Sequence, residues 1–504
     1  MQGYADVADG GFDRSRVVFE QVVAGLGGAE LGGVTHGELE DRLAVSCREL
    51  VRMLLQDHLD LRAVREQKVA GGVAGPDGER RPRAETGCRR SLVSVFGVVQ
   101  VSRIAYRSPG LSNVYPADDV LNLPAGSSFS HGVGRLAVLE GVRGSFAGAS
   151  EAIERATGVK VGTRQIRELI LRAGVDVDPF YETRRLPAAQ VSDVLVLTLD
   201  GKGVVMRPGS LRKATAAAAA KTTPRLASRL SPGEKTGRKR MAELACVYDI
   251  APQSRTAADV LPSRPGPKTP IAPPPAARRP RATGKWLSAS LIKDIPSMVA
   301  AAFAEAERRD PGHERTWVAL VDGNHTQIAA IEAEAVARSV TVSIVIDFIH
   351  VLEYVWSAAW SFFDKGDPDA EEWVTVTSRK ILQGNAVQVA AGIRRRATRF
   401  GFTGTERKNA DISATYLINH AAHLDYPTAL AGGWPIATGV IEGACRHLVK
   451  DRMDLTGARW GLDVAEAILT LRAIHTTGDL PDYWSYHLAQ EHLRTYPQHI
   501  QSAA

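Results

Sequence analysis

The stretch that most limits what this chain can fold into is 317–350, where two apolar runs, WVALV and VTVSIVI, each end on an aspartate, Asp322 and Asp347. Runs this short and this apolar read as strands buried on both faces. The segment between them, TQIAAIEAEAVARS, has the pattern of a helix. Strand, helix and strand in that order imply two parallel strands with both aspartates at one sheet edge. Ligands of such sheets bind beyond the carboxyl ends of the strands. The functional reading therefore turns on what else reaches that edge.

At 504 residues the chain is long enough for roughly three domains of about 150 residues each. With 44% apolar residues it can bury sizeable cores. No apolar run of about 18 residues occurs, and the N-terminus, MQGYADVADGGFDRSR, carries acids where a signal peptide carries bases and then an apolar segment. The expectation is a soluble, cytoplasmic protein with no membrane partner. The four cysteines, Cys47, Cys88, Cys246 and Cys445, are scattered without a CxxC, so neither a disulfide framework nor a cysteine zinc site is indicated, and they read as small core residues. Net charge is +6, but 207–240 holds ten Lys/Arg against one acid, Glu234, leaving a net −3 elsewhere. A solvated insert explains that concentration as readily as contact with a polyanion such as nucleic acid.

In chain order, 1–70 reads as an N-terminal helical region with Leu39, Leu43 and Val51 on a repeating face. The next region, 71–185, opens with a Gly-rich break. It continues with a β-hairpin, RSLVSVFGVVQVSRIAYR, whose Arg89, Arg90, Arg103 and Arg107 could meet phosphate or simply line a solvated edge. It ends in two short helices, 146–156 and 163–173, joined through Gly158, the pattern of a helix-turn-helix. Thr163, Arg164 and Arg167 then sit where a recognition helix meets bases and phosphates, and the arginine-bearing face favours DNA over plain scaffold. From 186 to 364 comes a segment rich in strands: an apolar run ends on Asp200 and turns through Gly201 and Gly203, MAELACVYDI forms a further strand, and a basic and Pro-rich insert spans 207–283. LSASLIKDIPSMVAAAFAEAERR reads as helical. An all-helical stretch, 365–435, precedes 436–504, where Glu442 shares a helix face with Cys445, Arg446 and Lys450.

Three carboxylates stand out, Asp200, Asp322 and Glu442, spaced 122 and 120 residues apart. Carboxylates without histidine or cysteine clusters select hard cations, magnesium or manganese over zinc. Two such ions about 3.5–4 Å apart serve in-line displacement at a phosphodiester. Asp347 and His350 lie three apart at a helix start. His350 could orient a phosphate or attacking hydroxyl with Asp347 fixing its tautomer; alternatively Asp347 caps the helix and His350 packs against it. His325 and Arg446 lie close to acids and could touch a scissile phosphate or form ordinary ion pairs. Arg459 and Trp460 could stack on an unpaired base, or Trp460 could be core.

DGKG at Asp200, VDGNH at Asp322, DFIH at Asp347 and GVIEGACRHLVKDRM followed by GARWG around Glu442 resemble insertion-sequence transposases of the Kra type, relatives of the Mutator-like DDE transposases. The likeness covers roughly 190–475, with the motifs in order and a helical insertion before the glutamate. It implies a multidomain α+β fold: an RNase H-like mixed α/β catalytic domain with an all-helical insertion, preceded by a helical and helix-turn-helix region. It also implies Asp200, Asp322 and Glu442 as the metal triad, Asp347 and His350 as a D-x-x-H motif in a supporting role, and two Mg²⁺ or Mn²⁺ ions. The partners it implies are DNA, as transposon ends and target, and a second copy or more of the chain, since two ends are processed. Two other outcomes share these features: a catalytically silent DNA-binding regulator, and a metal-dependent nuclease without joining activity. Glycoside hydrolysis by paired carboxylates has no use for a helix-turn-helix or a basic segment.

Overall fold

Each short apolar run of the βαβ stretch forms a strand in the computed structural model, which describes residues 11–184, 191–221, 238–262, 281–455 and 457–496. The middle of the basic segment, 222–237, and the Pro-rich 263–280 lie outside the described residues. The chain divides into two compact units, Met1–Glu182 with Asp479–Ala504, and Thr183–Gly478.

In the first unit α1 (Asp13–Leu26) and α2 (His36–Arg65) run antiparallel, because Arg14 near the start of α1 reaches Asp57 and Asp60 near the end of α2. Thr35 and Glu38 satisfy each other's backbone amides as a capping box and start α2. A small pair, β1 (Val73–Ala74) and β2 (Arg80–Arg81), leads into the expected hairpin of β3 (Arg83–Ser94) and β4 (Gly97–Arg107). Leu92, Val99 and Val101 of the hairpin bury with Leu59 and Leu123. The helices α3 (Pro116–Val120), α4 (His131–Arg143), α5 (Phe146–Thr157), α6 (Thr163–Ala173) and α7 (Val177–Thr183) follow. The turn between α5 and α6 needs Gly158, whose φ of 73° lies in the left-handed region. Ile153, Ile166 and Ile170 form the buried side of the pair, while Arg164 stays on the surface.

In the second unit the strands are β5 (Val194–Val205), β6 (Lys239–Ile250), β7 (Thr283–Ser290), β8 (Trp317–Val321) and β9 (Val342–Ile346), in the order β7-β6-β5-β8-β9. The first three pair antiparallel; β5, β8 and β9 are parallel, with α11 (His325–Ala337) crossing between β8 and β9. The sheet is thus mixed and lies within an α/β unit. Other helices are α8 (Lys213–Ala220), α9 (Ala257–Val260), α10 (Ile295–Arg309) and α12 (Phe348–Ala359). After them come α13 (Pro368–Leu382), α14 (Ala386–Arg399), α15 (Gly404–Asn419), α16 (Tyr426–Ala431), α17 (Gly439–Ala444), α18 (Asp451–Met453) and α19 (Leu462–Thr477). The stretch expected to be all helical is so.

Two expectations are corrected here. Gly201 and Gly203 make no turn after Asp200: β5 runs through them, and Gly201 pairs with Glu243 and Gly203 with Met241. A Cβ on Gly203 would come within 2.8 Å of Lys239 Cδ, so that glycine admits a neighbouring side chain and does not reverse the chain. LSAS is not helical; it completes β7, with Trp286, Leu287, Ala289 and Ser290 buried. The helix waits for Asp294, which caps Ser297 N–H ahead of Pro296 in the first turn of α10. The cysteines also divide: Cys246 and Cys445 are buried, Cys88 is half-buried and Cys47 exposed.

The last helix, α20 (Leu480–Thr495), belongs to the first unit. Asp176, 5% exposed, accepts from Arg494 Nη1 and Nη2 at 2.6 and 2.8 Å and lies 2.6 Å from His487 Nδ1. Burial works against the Asp176 charge, but Arg494 and His487 outweigh it and hold the carboxyl below its ordinary range. A depressed carboxyl stabilises the fold above its unfolded-state pKa of about 3.9 and ceases to as pH falls through the folded-state value. Asp176→Asn should therefore cost about 2 kcal/mol at pH 7, half-exposed Arg494 being partly screened. Thermal unfolding of both proteins should show that gap closing below about pH 4; equal melting at pH 7 would rule the network out as a support.

Candidate active site at the sheet edge

Between β5 and β8 every paired residue differs by 122, from Leu195 and Trp317 to Thr198 and Leu320. Continued two residues past its last pair, the same register would bring Asp200 level with Asp322, which follows the last residue of β8. Both aspartates are half-buried. Asp322 Oδ1 accepts from Asn324 N–H at 3.0 Å, and Asn324 in turn caps α11 by accepting from Thr326 N–H. Asp200 Oδ1 accepts from Gly201 N–H at 2.7 Å, while Oδ2 lies 3.1 Å from the Cys445 thiol, which donates to it.

That thiol ties the strand to the helix of Glu442. Cys445 follows α17 and opens a single π turn, Cys445–Lys450, so the uninterrupted α-helical spacing expected from Glu442 to Lys450 is broken midway. Burial, and then the charge and hydrogen bond of Asp200, push the Cys445 thiol well above its ordinary range, keeping it a donor. On the other side of Glu442, the Thr438 hydroxyl touches Asp347 Oδ2 and lies 3.3 Å from Glu442 Oε1. One hydroxyl proton serves one carboxylate at a time. Asp347, 2% exposed, takes the close contact; Glu442 is exposed and only loosely held. Cys445 thereby joins the helix of Glu442 to Asp200, and Thr438 joins it to Asp347.

Asp347 caps α12 by accepting from Ile349 N–H at 2.9 Å. It does not hold the His350 ring, whose Nδ1 lies 3.3 Å from Glu353 instead. His325 begins α11 and stacks on His420, ring centroids 4.8 Å apart. Arg446 is exposed on the π turn beside Glu442, and Arg459 is exposed as well. Trp460 is core and cannot stack on a base: it is 6% exposed, its indole N–H donates to Met453 O, and its backbone bonds Val205 and Arg207 at the end of β5. In the first unit Arg103 and Arg90 are spent on Asp118 and on loop carbonyls, Arg107 pairs with Glu85, and Arg89 is exposed. Thr163 and Arg164 are exposed, with Arg164 paired to Glu168 across one turn; Arg167 Nε donates to Thr163 O.

Sequence reasoning missed Thr438, whose role depends on a contact across 91 residues, and Glu243, paired opposite Gly201 on β6. Burial chiefly, with Arg212 opposing and Asp200 and Asp294 adding, raises the Glu243 carboxyl. Among the described residues no three His, Cys, Asp or Glu side chains lie close enough together to hold a metal ion. The expected three-carboxylate cage is therefore not assembled in this arrangement. The donor set at the edge is carboxylate oxygen, the thiol beside it, Cys445, being held protonated. It fits a small hard cation that takes one or two carboxylates and keeps several waters, not zinc. No described helix is long and apolar enough to cross a membrane.

No family model and no curated relative matches the chain. Among solved structures it is similar to the Drosophila P element transposase strand transfer complex, at 9% identity and a TM-score of 0.24, over 73% of this chain and 92% of that chain. So slight a likeness carries no inference.

Thr438→Val removes the one hydroxyl shared by two carboxylates and should destabilise the chain by about 1–3 kcal/mol, because buried Asp347 loses a donor. Thr438→Ser should restore it. Urea unfolding of the two variants checks this; a valine variant as stable as wild type would show that the hydroxyl supports nothing.

Proposed function

We propose that the chain is a DNA transposase of the DDE type, whose second unit is an RNase H-like domain that cuts and joins DNA strands. The observation that carries the reading is the constant β5–β8 register, which continued two residues past its last pair would bring Asp200 level with Asp322, while the Cys445 thiol, three residues after Glu442, donates to Asp200. The mixed sheet, the helical stretch before Glu442 and the ordered DGKG, VDGNH, DFIH and GVIEGACR motifs support it.

In this reading Asp200, Asp322 and Glu442 are the residues that would hold magnesium or manganese. Two such ions would supply charge stabilisation to the attacking and leaving oxygens of an in-line phosphodiester displacement. The chain's own residues would orient the DNA: exposed Arg446 and half-buried His350 flank the edge as phosphate partners. Water would attack a phosphodiester at the element's end and release its 3′-hydroxyl, which would then attack a target phosphodiester, joining the two strands and expelling the target's own 3′-hydroxyl. The helix-turn-helix of the first unit recognises the element's ends through Thr163, Arg164 and Arg167, and two copies of the chain act on two ends.

A supercoiled plasmid carrying the gene with its flanking chromosomal DNA tests this. With Mg²⁺ the full chain should nick and join it, and Asp200→Asn, Asp322→Asn and Glu442→Gln should each lower the rate more than about 100-fold. Unchanged rates would reject the site. Cutting without joining would leave a nuclease, and binding without either a regulator. Arg164→Ala and Arg167→Ala should weaken binding to the flanking DNA and each reduce the salt slope by about one. Gel-shift titration at several salt concentrations reads this, and unaltered slopes would remove the helix-turn-helix from the interface.

A further inference from the structure

Strand ends leave carbonyl oxygens without ladder partners, and a buried one must find a donor elsewhere. At the ends of β8 and β9 the donors come from one helical stretch. Tyr416 Oη on α15 donates to Asp322 O at 3.0 Å, and Tyr426 Oη, on the following helix, donates to Ile346 O at 3.0 Å. His420, 4% exposed, sits with Nε2 2.9 Å from Gly323 O and Nδ1 2.9 Å from Tyr416 O. Carbonyl oxygens only accept, so both bonds form together only when both ring nitrogens carry protons.

The fit is close. Gly323 has a φ of 95°, and a Cβ there would lie 2.7 Å from Tyr416 Oη and 3.2 Å from His420 Nε2. The rings form a continuous column: Tyr354 stacks on Tyr416 at 3.8 Å and 11°, Tyr416 meets His420 at 4.3 Å, and His420 stacks on His325 at 4.8 Å and 16°. Two consecutive carbonyls, those of Asp322 and Gly323, are thus gripped from one side by two rings of α15 and its C-terminal cap.

We propose that Tyr416 and His420 are positioning residues for Asp322: they fix the Asp322–Gly323 turn, and through it the carboxylate, so that the helical stretch sets the geometry of the sheet edge. The proposal rests on the reading of Asp322 as a cation-holding carboxylate, and it gives the helical stretch a task in the site. Neither residue needs to touch DNA.

The test uses the full chain with Tyr416→Phe, which keeps the ring and removes one hydroxyl, and His420→Asn. Amide hydrogen exchange at Gly323 and Asn324 should quicken in both, Mn²⁺ affinity and the nicking rate should fall about 10-fold or more, and KM for the DNA should stay unchanged. Melting temperature verifies that Tyr416→Phe remains folded. Wild-type exchange and Mn²⁺ affinity in both variants would overturn the proposal. Asp322→Asn separates the two levels: if it leaves Mn²⁺ binding intact, the cation reading of the edge fails, whereas loss of binding in Asp322→Asn with none in Tyr416→Phe or His420→Asn sinks the clamp alone.

Discussion

The parallel pairing of β5 with β8 is the constraint on which the rest of the site depends. Because side chains alternate along a strand, a slip of one residue would turn Asp200 to the opposite face of the sheet from Asp322. The strands themselves are fixed by burial: Val194–Leu197 and all of Trp317–Val321 are enclosed. Each fully buried aliphatic or aromatic residue contributes about 1.5–3 kcal/mol, which makes the register far stronger than any contact the two like-charged carboxylates could oppose to it. The buried strands behind them fix the positions from which Asp200 and Asp322 start.

Around that pair, the remaining contacts come from residues distant in the chain. Cys445 and Thr438 join the helix of Glu442 to Asp200 and to Asp347, and Tyr416, His420 and Tyr426 satisfy the carbonyls where the parallel strands end. Neutral donors predominate among the side chains on the carboxylates. Those on Asp200, Asp322 and Asp347 are a thiol, a hydroxyl and backbone amides.

The sequence made the strands of the βαβ unit, the hairpin and the two helices around Gly158 legible, because each carries its own period and its own turn residue. The same logic failed where local pattern and tertiary context part. DGKG reads as a turn from glycine content alone, but its glycines are spaces for the side chains of β6. LSAS lacks a strong alternation, and only its place beside β6 makes it a strand. Trp460 could be assigned to core or surface from sequence, and its bond to the end of β5 decides it. Thr438, Cys445, Tyr416 and His420 carry no local signal at all: each acts on a residue between 91 and 245 positions away. The three acids, by contrast, stand out in the chain, although Glu442 does not close on the other two in this structure.

The most direct measurement is a crystal of the full chain grown with manganese, with the ion located by its anomalous scattering. A site built on the β5–β8 register gives a peak bridging the carboxylates of Asp200 and Asp322, with Glu442 drawn off Thr438 toward it. A peak at other carboxylates, such as Glu243 and Asp294, with none between Asp200 and Asp322, would contradict it.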